Sequence, residues 1–114
     1  MDQRSIVKGV STSLLFILAK GQNSSLSIPL LGEYSTPIAG FVHGYVNSML
    51  TDALWTPTQS LLNDALKDSG MQGARIYRLA HIGTAAIGQS ALLYGTGDEG
   101  TGLIVGALQD MMIL

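Results

Sequence analysis

Residues 79–97 read LAHIGTAAIGQSALLYGTG, a run of 19 residues without a formal charge that Arg78 and Asp98 bound. About 20 residues of α-helix cross the hydrocarbon core of a bilayer, whereas a buried strand is about four to eight residues long. The length of this run therefore predicts a helix. Its lack of charge favours a membrane span over a soluble core helix.

Small residues recur in this run at helical spacing. Ala80, Thr84 and Gly88 follow one another every four residues, so they share one face of a helix and let a second backbone approach closely. The same spacing occurs at Gly40, Gly44 and Ser48, and again at Gly102 and Gly106. Glycine inside a helix costs about 1 kcal/mol relative to alanine, so we interpret these eight positions as helix-packing interfaces.

The composition also favours a membrane bundle. Charged residues make up 12% of the 114 residues, about half the usual share, and 14 residues are glycine. The length allows one domain, residues 1–114. The net charge of −2 comes without any basic block, which excludes the electrostatic pattern of a nucleic-acid-binding protein. The absence of cysteine excludes disulfides, thiolate catalysis and cysteine zinc sites.

Three segments are candidate membrane spans. The range 77–96 contains the charge-free run, and the range 36–55 begins with Thr36 as an N-cap and Pro37 at the first helical position. The range 9–21 is a weaker candidate because its uncharged part is short, and it fits an interfacial or core helix equally well. With three crossings, five of the six Lys and Arg residues lie on one side, as the positive-inside rule expects. With an interfacial first segment, the count becomes three against three.

Two shorter helices complete the prediction. Thr56 and Pro57 start an amphipathic helix over residues 57–69, with Gln59 completing a capping box and Gly70 as the stop signal. A C-terminal helix is predicted over residues 101–114, which is short for a span because Asp110 interrupts it. Residues 21–36 have the composition of a loop.

No motif in the sequence indicates an enzyme. GTGDEG at residues 95–100 matches a dinucleotide-binding pattern, but only 14 residues follow it, so the acidic residue expected about 20 positions further on has no place. We predict a turn there, with Asp98 capping the last helix. His43 and His81 are isolated, and each is expected to make an interhelical hydrogen bond or pack at an interface. Asp52 and Asp110 are expected to pair with arginines.

These patterns predict an all-α fold, a small helical membrane bundle with two or three transmembrane helices plus a short amphipathic helix. The expected partners are a lipid bilayer and other protein subunits of a larger assembly. No catalytic residue, metal site, cofactor, nucleic acid or small-molecule substrate is predicted.

In its short length, low charge and glycine-rich helices the chain resembles the small membrane-linked minor capsid proteins of large icosahedral DNA viruses that carry an internal membrane. The resemblance implies a non-enzymatic structural role at the membrane of a virion. Two other classes fit the same patterns. One is a holin-like pore former, and the other is a soluble all-α oligomeric interaction domain.

Overall fold

The computed structural model describes residues 2–112, which form four helices and one β-hairpin. The helices are α1 (Gln3–Lys20), α2 (Thr36–Leu66), α3 (Gly70–Ala91) and α4 (Glu99–Met112). The antiparallel hairpin consists of β1 (Ser25–Ile28) and β2 (Gly32–Ser35). The chain is thus mostly helical. The hairpin occupies the segment 21–36, for which the sequence predicted a loop.

The predicted membrane bundle, with spans over 9–21, 36–55 and 77–96, is wrong. Among residues 2–112, none of the helices is both long enough and apolar enough to cross a bilayer. The three segments are helical and poor in charge, but glycine, serine, threonine and histidine are interspersed among their aliphatic residues. Lack of charge was therefore a poor substitute for hydropathy, because uncharged polar side chains lower the apolar character of a helix as well.

The four helices pack in the order α1, α2, α3, α4, with α4 returning to α1. In each neighbouring pair of helices, later residues of one helix contact earlier residues of the other. Ser5 meets Ser48 and Ser13 meets Pro37 between α1 and α2, for example. Each helix is therefore antiparallel to its neighbours, the up-and-down arrangement of a four-helix bundle.

The apolar core lies at the end of the bundle that the hairpin covers. Its buried members come from α1, β1, α2, the turn after α3, and α4: Phe16, Leu26, Ile28, Ala39, Leu93 and Val105. Leu26 and Ile28 alternate with polar residues along β1, so one face of the strand enters the core. The hairpin therefore closes this end of the bundle.

Helix α2 continues through Pro57, where the sequence predicted a new helix over 57–69. Proline removes one helical N–H donor, but the flanking hydroxyls bond back into the same helix. Thr56 Oγ1 donates to the Asp52 carbonyl at 2.9 Å, and Thr58 Oγ1 donates to the Leu54 carbonyl at 3.0 Å. Thr56, which the sequence predicted as the start of a new helix, therefore lies inside a continuous helix.

The second part of α2 and the first part of α3 form an arm, residues 56–76, that is mostly exposed. A helix of 31 residues is about 46 Å long, and the molecule measures 49 Å along its longest axis. Gly70, with a φ of +57°, lies at the first residue of α3 and reverses the chain at the end of the arm. At the other terminus, α4 ends at Met112, and positions 113–114 of the predicted C-terminal helix lie outside the described residues.

Candidate functional site

The interior of the bundle is unusually polar. Buried polar or charged residues outnumber the buried hydrophobic ones in the described part of the chain: Ser5, Lys8, Thr12, Thr36, His43, Asn47, Ser48, Thr51, Gln89, Gln109 and Asp110. Buried polar groups are costly unless they are hydrogen-bonded or paired. Two groups of these residues, which we call the ionic cluster and the neutral cluster, meet this requirement at most of their atoms, whereas buried atoms such as Gln89 Oε1 and Asn47 Oδ1 have no hydrogen-bond partner.

The ionic cluster joins α1, α3 and α4 around the buried carboxylate of Asp110. Arg78 Nη1 lies 2.9 Å and His81 Nδ1 lies 2.8 Å from Asp110 Oδ2, and Arg78 Nη2 also donates to the Asp110 carbonyl. Lys8 Nζ lies 3.9 Å from Asp110 Oδ1, within range of Coulombic attraction. Trp55 packs edge-on against the His81 ring, with centroids 4.8 Å apart. One carboxylate thus holds three basic side chains together.

Burying the charged Lys8 side chain in this cluster costs free energy. Its side chain is only 1% exposed. Burial lowers the pKa of the Lys8 amine, and the positive charge of Arg4 lowers it further, whereas the negative charge of Asp110 raises it. Desolvation is the largest of these effects. Asp110 therefore offsets only part of the cost of burying the Lys8 charge.

The neutral cluster links α2, α3 and β1 through His43. The Nε2 atom of His43 lies 2.6 Å from the Ser27 carbonyl oxygen, which can only accept, so Nε2 carries the proton. Nδ1 is then an acceptor, and Gln89 Nε2 donates to it across 3.0 Å. Burial lowers the pKa of His43, although the hydrogen bond to Ser27 raises it. The imidazole thus fastens the hairpin to the bundle in its uncharged form.

Two predictions about charged and histidine side chains agree with this geometry. Asp110 pairs with Arg78, and Asp52 pairs with Arg4 at 3.4 Å on the surface. Both histidines make interhelical hydrogen bonds or pack against aromatic rings. Sequence reasoning missed that Lys8 joins the ionic cluster, since it lies 102 positions from Asp110 along the chain.

Six of the eight predicted packing residues are buried between helices of the same chain: Gly40, Gly44, Ser48, Gly88, Gly102 and Gly106. A Cβ atom on Gly44 would lie 2.6 Å from the Lys8 carbonyl oxygen, and one on Gly106 would lie 2.6 Å from that of Ala85. Ala80 and Thr84 are half-buried, and Thr84 bonds to the Ala80 carbonyl of its own helix. The small-residue faces therefore bring helices of one chain close together and close the bundle.

The GTGDEG segment is a turn, as predicted, and its acidic side chains are engaged. Lys20 Nζ lies 2.6 Å from Asp98 Oδ2 and 2.8 Å from the Ser25 carbonyl, so Asp98 pairs with α1 at the place where a helix cap was expected. The Gly95 N–H donates to the Glu99 carboxylate at 2.9 Å. These contacts tie the α3–α4 turn to the hairpin.

Large apolar side chains cover much of the outer surface of the bundle. On α1 they are Val7, Val10, Leu14 and Leu18; on α2 they are Ile38, Val46 and Met49; on α4 they are Leu103, Ile104, Leu108 and Met111. Single exposed leucines are ordinary, but contiguous apolar faces mark interaction surfaces. Outside the apolar core at the hairpin end, the distribution of this bundle is inverted, with polar groups inside and aliphatic groups outside.

Two further features of this surface are apolar. A groove of about 310 Å³ lies between α1 and α4 and is lined by Leu15, Leu18, Ala19, Thr101, Ile104, Val105 and Leu108. The hairpin tip, Pro29 to Leu31, projects two leucines into solvent. Its turn is closed by the Leu31 N–H, which donates to the Ile28 carbonyl at 3.0 Å.

The polar interior is built to hold helices together. In residues 2–112, the His, Asp and Glu side chains form no group of three that could hold a metal ion. The groups that could transfer protons, His43 and His81, are already bonded within the chain. The surface, by contrast, exposes many large apolar side chains, so we take the outer faces as the candidate functional site.

No known protein family, curated protein or solved structure matches this chain. The resemblance to viral minor capsid proteins stays a prediction.

Proposed function

We propose that this chain is a non-enzymatic structural subunit, a mostly helical interaction domain that assembles with further copies of itself. The observation that carries the proposal is the inverted distribution of residues. Monomeric proteins seldom expose large contiguous apolar patches, and burying such surface is favourable by about 25 cal/mol per Å². A structural role in a virus particle, which the resemblance implies, would be one instance of this function.

The outer face of α1 has the pattern expected for helix association. Val7, Val10, Leu14 and Ile17 follow one another at intervals of three, four and three residues, the spacing of the a and d positions of a coiled coil. Ile17 is half-buried and the other three are exposed. Such a seam accommodates the apolar face of another helix, and this chain itself presents several such faces.

The size of a stable interface indicates that more than α1 takes part. Specific interfaces bury about 800 Å² on each partner, contributed by about 20–30 residues. Four side chains on one helix are too few to reach this area. The apolar residues of α2 and α4 extend the surface on either side of α1, so the assembly uses a broad face of the bundle.

The polar interior supports this function by fixing the shape of the face. The ionic and neutral clusters pair specific atoms of different helices, so the helices cannot slide past one another without leaving buried groups unsatisfied. A bundle held in one arrangement presents its outer residues in one geometry, which is what repeated association requires.

Light scattering on the purified full chain, over a wide concentration range without detergent, tests the proposal. We expect a mass that is a defined multiple of 12.0 kDa and that falls on dilution. Changing Val10 and Leu14 to Glu is expected to reduce the mass to that of the monomer. The matched control is Leu61→Glu, which alters a leucine of the arm that is 74% exposed.

Three results would overturn the proposal. The wild-type chain could stay monomeric at every concentration, which would mean that the apolar faces do not associate. It could remain dispersed only with detergent, which would assign those faces to lipid. It could make lipid vesicles leak, which would favour the pore-forming class.

A further inference from the structure

Leu30, at the tip of the hairpin, combines two features that disfavour its presence in an isolated molecule. Its φ of +71° lies in the left-handed region, which side chains other than glycine and asparagine rarely adopt. Its side chain is also fully exposed, at 105% of the reference area. It is the one residue other than glycine with a positive φ within the described range.

The turn itself does not require leucine at this place. Pro29 followed by a residue with positive φ, closed by a bond from Leu31 to Ile28, matches a type II turn, in which glycine is the preferred third residue. Glycine would relieve the strain and remove an exposed apolar group. Backbone strain of this kind is typical of residues whose use lies in binding, here at a tip with two adjacent exposed leucines.

The groove between α1 and α4 is a fitting receptor for such a tip. Apolar side chains dominate its lining, and its volume of about 310 Å³ is large enough for two leucine side chains. Leu18 and Ile104 at its rim are 83% and 62% exposed. Burying the tip there would cover the apolar groups on both sides of the contact.

The positions of tip and groove determine how two copies meet. The tip lies against α2 and the end of α3, next to Val42, Val46 and Leu92, whereas the groove lies between α1 and α4. Since α1 and α4 are on the opposite side of the bundle from α2 and α3, one molecule cannot fill its own groove with its own tip. Tip and groove do lie near the same end of the bundle, where α1 ends and α4 begins.

We infer that the hairpin tip of one copy inserts Leu30 and Leu31 into the α1–α4 groove of the next copy. This inference rests on the proposed function and adds one specific contact to its broad apolar face. The contact is head-to-tail, because the two surfaces that meet are different and lie on opposite sides of the molecule. Repeated contacts of this kind align bundles side by side in a row or a ring.

The first experiment changes Leu30 to Gly and measures thermal unfolding and assembly on the same samples. The melting temperature of the monomer, measured at low concentration, is expected to rise by about 3 °C because the strain is relieved. The dissociation constant of the assembly is expected to rise at least about tenfold, since a buried anchor is lost. Leu61→Gly on the arm is the control, and assembly should not change there.

The second experiment mixes two defective variants. A tip variant carries Leu30→Gly with Leu31→Ser, and a groove variant carries Ile104→Glu. Each alone is expected to be monomeric. A mixture is expected to form a 1:1 complex of about 24 kDa, because the intact tip of the groove variant still fits the intact groove of the tip variant.

Different failures of these experiments have different meanings. If the wild-type chain is monomeric throughout, both this inference and the proposed function are wrong. If the wild-type chain assembles but Leu30→Gly assembles equally well, only the tip contact is wrong. The contact is also wrong if Leu30→Gly lowers the melting temperature, since Leu30 would then stabilise the monomer, or if the two variants fail to combine.

Discussion

The neutral cluster and the ionic cluster solve the same problem in different ways. Both include a histidine that lies between helices, fully buried in the neutral cluster and partly buried in the ionic cluster, and both connect elements that lie far apart in the chain. In the neutral cluster, both nitrogens of His43 have hydrogen-bond partners and no group is charged. In the ionic cluster, one carboxylate balances several basic groups, of which Lys8 is fully buried.

Because of this difference, the change that disrupts one cluster is not the change that disrupts the other. The neutral cluster depends on the protonation state of one ring, because a proton on Nδ1 of His43 would face the amide hydrogens of Gln89. The ionic cluster depends on its single anion, because the cations around it repel one another once that anion is gone. Four experiments distinguish dependence on the protonation of one ring from dependence on a single anion.

The largest effect is expected for Asp110→Ala. It leaves Lys8 buried without its counter-charge and removes the acceptor for Arg78 and His81, so the free energy of unfolding should fall by about 3–5 kcal/mol. Urea denaturation measures this change, with Asp64→Ala on the exposed arm as control. If the variant does not fold, the double variant Lys8→Met with Asp110→Leu should recover a folded chain, because both buried charges are then removed.

A smaller loss is expected for Gln89→Leu, which affects the neutral cluster alone. The substitution leaves Nδ1 of His43 buried without a donor, and an unsatisfied buried group costs about 1–3 kcal/mol. Gln72→Leu, at an exposed position of the arm, is the matched control and should change stability little. Equal unfolding free energies for the two variants would contradict the role assigned to the His43–Gln89 bond.

Acid should weaken the neutral cluster. Because burial lowers the pKa of His43 below its ordinary value near 6.5, the folded chain binds fewer protons than the unfolded chain just below that pH. The contribution of His43 to stability is therefore complete above about pH 6.5 and is lost as the pH falls through the pKa of the folded state. His43→Leu should flatten the pH dependence of the unfolding free energy just below about pH 6.5, and equal slopes for variant and wild type would contradict this.

The smallest effect is expected for Lys8→Met. Replacing a buried ion-pair member by an apolar side chain of similar length is often neutral or stabilising, because the cost of desolvating the charge disappears. Asp110 keeps its bonds to Arg78 and His81. The unfolding free energy should change by no more than about 1 kcal/mol, and a loss comparable to that of Asp110→Ala would show that the Lys8 charge itself stabilises the bundle.

Local signals located the helical segments but missed that α2 continues through Pro57, and they failed where a contact is distant. The spacing of small residues marked the buried faces of α2, α3 and α4, because four-residue periodicity is a property of a single helix. Thr36 and Pro37 marked the start of α2 to within one residue, although Ser35 is the N-cap and Thr36 bonds to Ser24. The hairpin was missed because only Leu26 and Ile28 show the alternation of a strand.

The candidate site was harder to predict than the fold. The pairing of Asp110 with an arginine could be inferred from charge alone, but the presence of Lys8 beside it depends on how α1 packs against α4. The outward direction of the aliphatic residues could not be read from periodicity, since an apolar stripe faces the core in most helices. In this bundle, the polar stripes face inward and reverse the usual assignment.

The arm has a consequence for how the polypeptide could be divided. Its turn at Ser69 and Gly70 is exposed and lies far from both clusters along the helices. A cut there would separate α1, the hairpin and α2 from α3 and α4, and the two pieces are joined by the Lys8–Asp110 pair and by the hydrogen bonds from Asn47 to Ala85 and from Gln89 to His43. Because each piece alone leaves these buried groups without their partners, the two halves should associate and reconstitute one bundle.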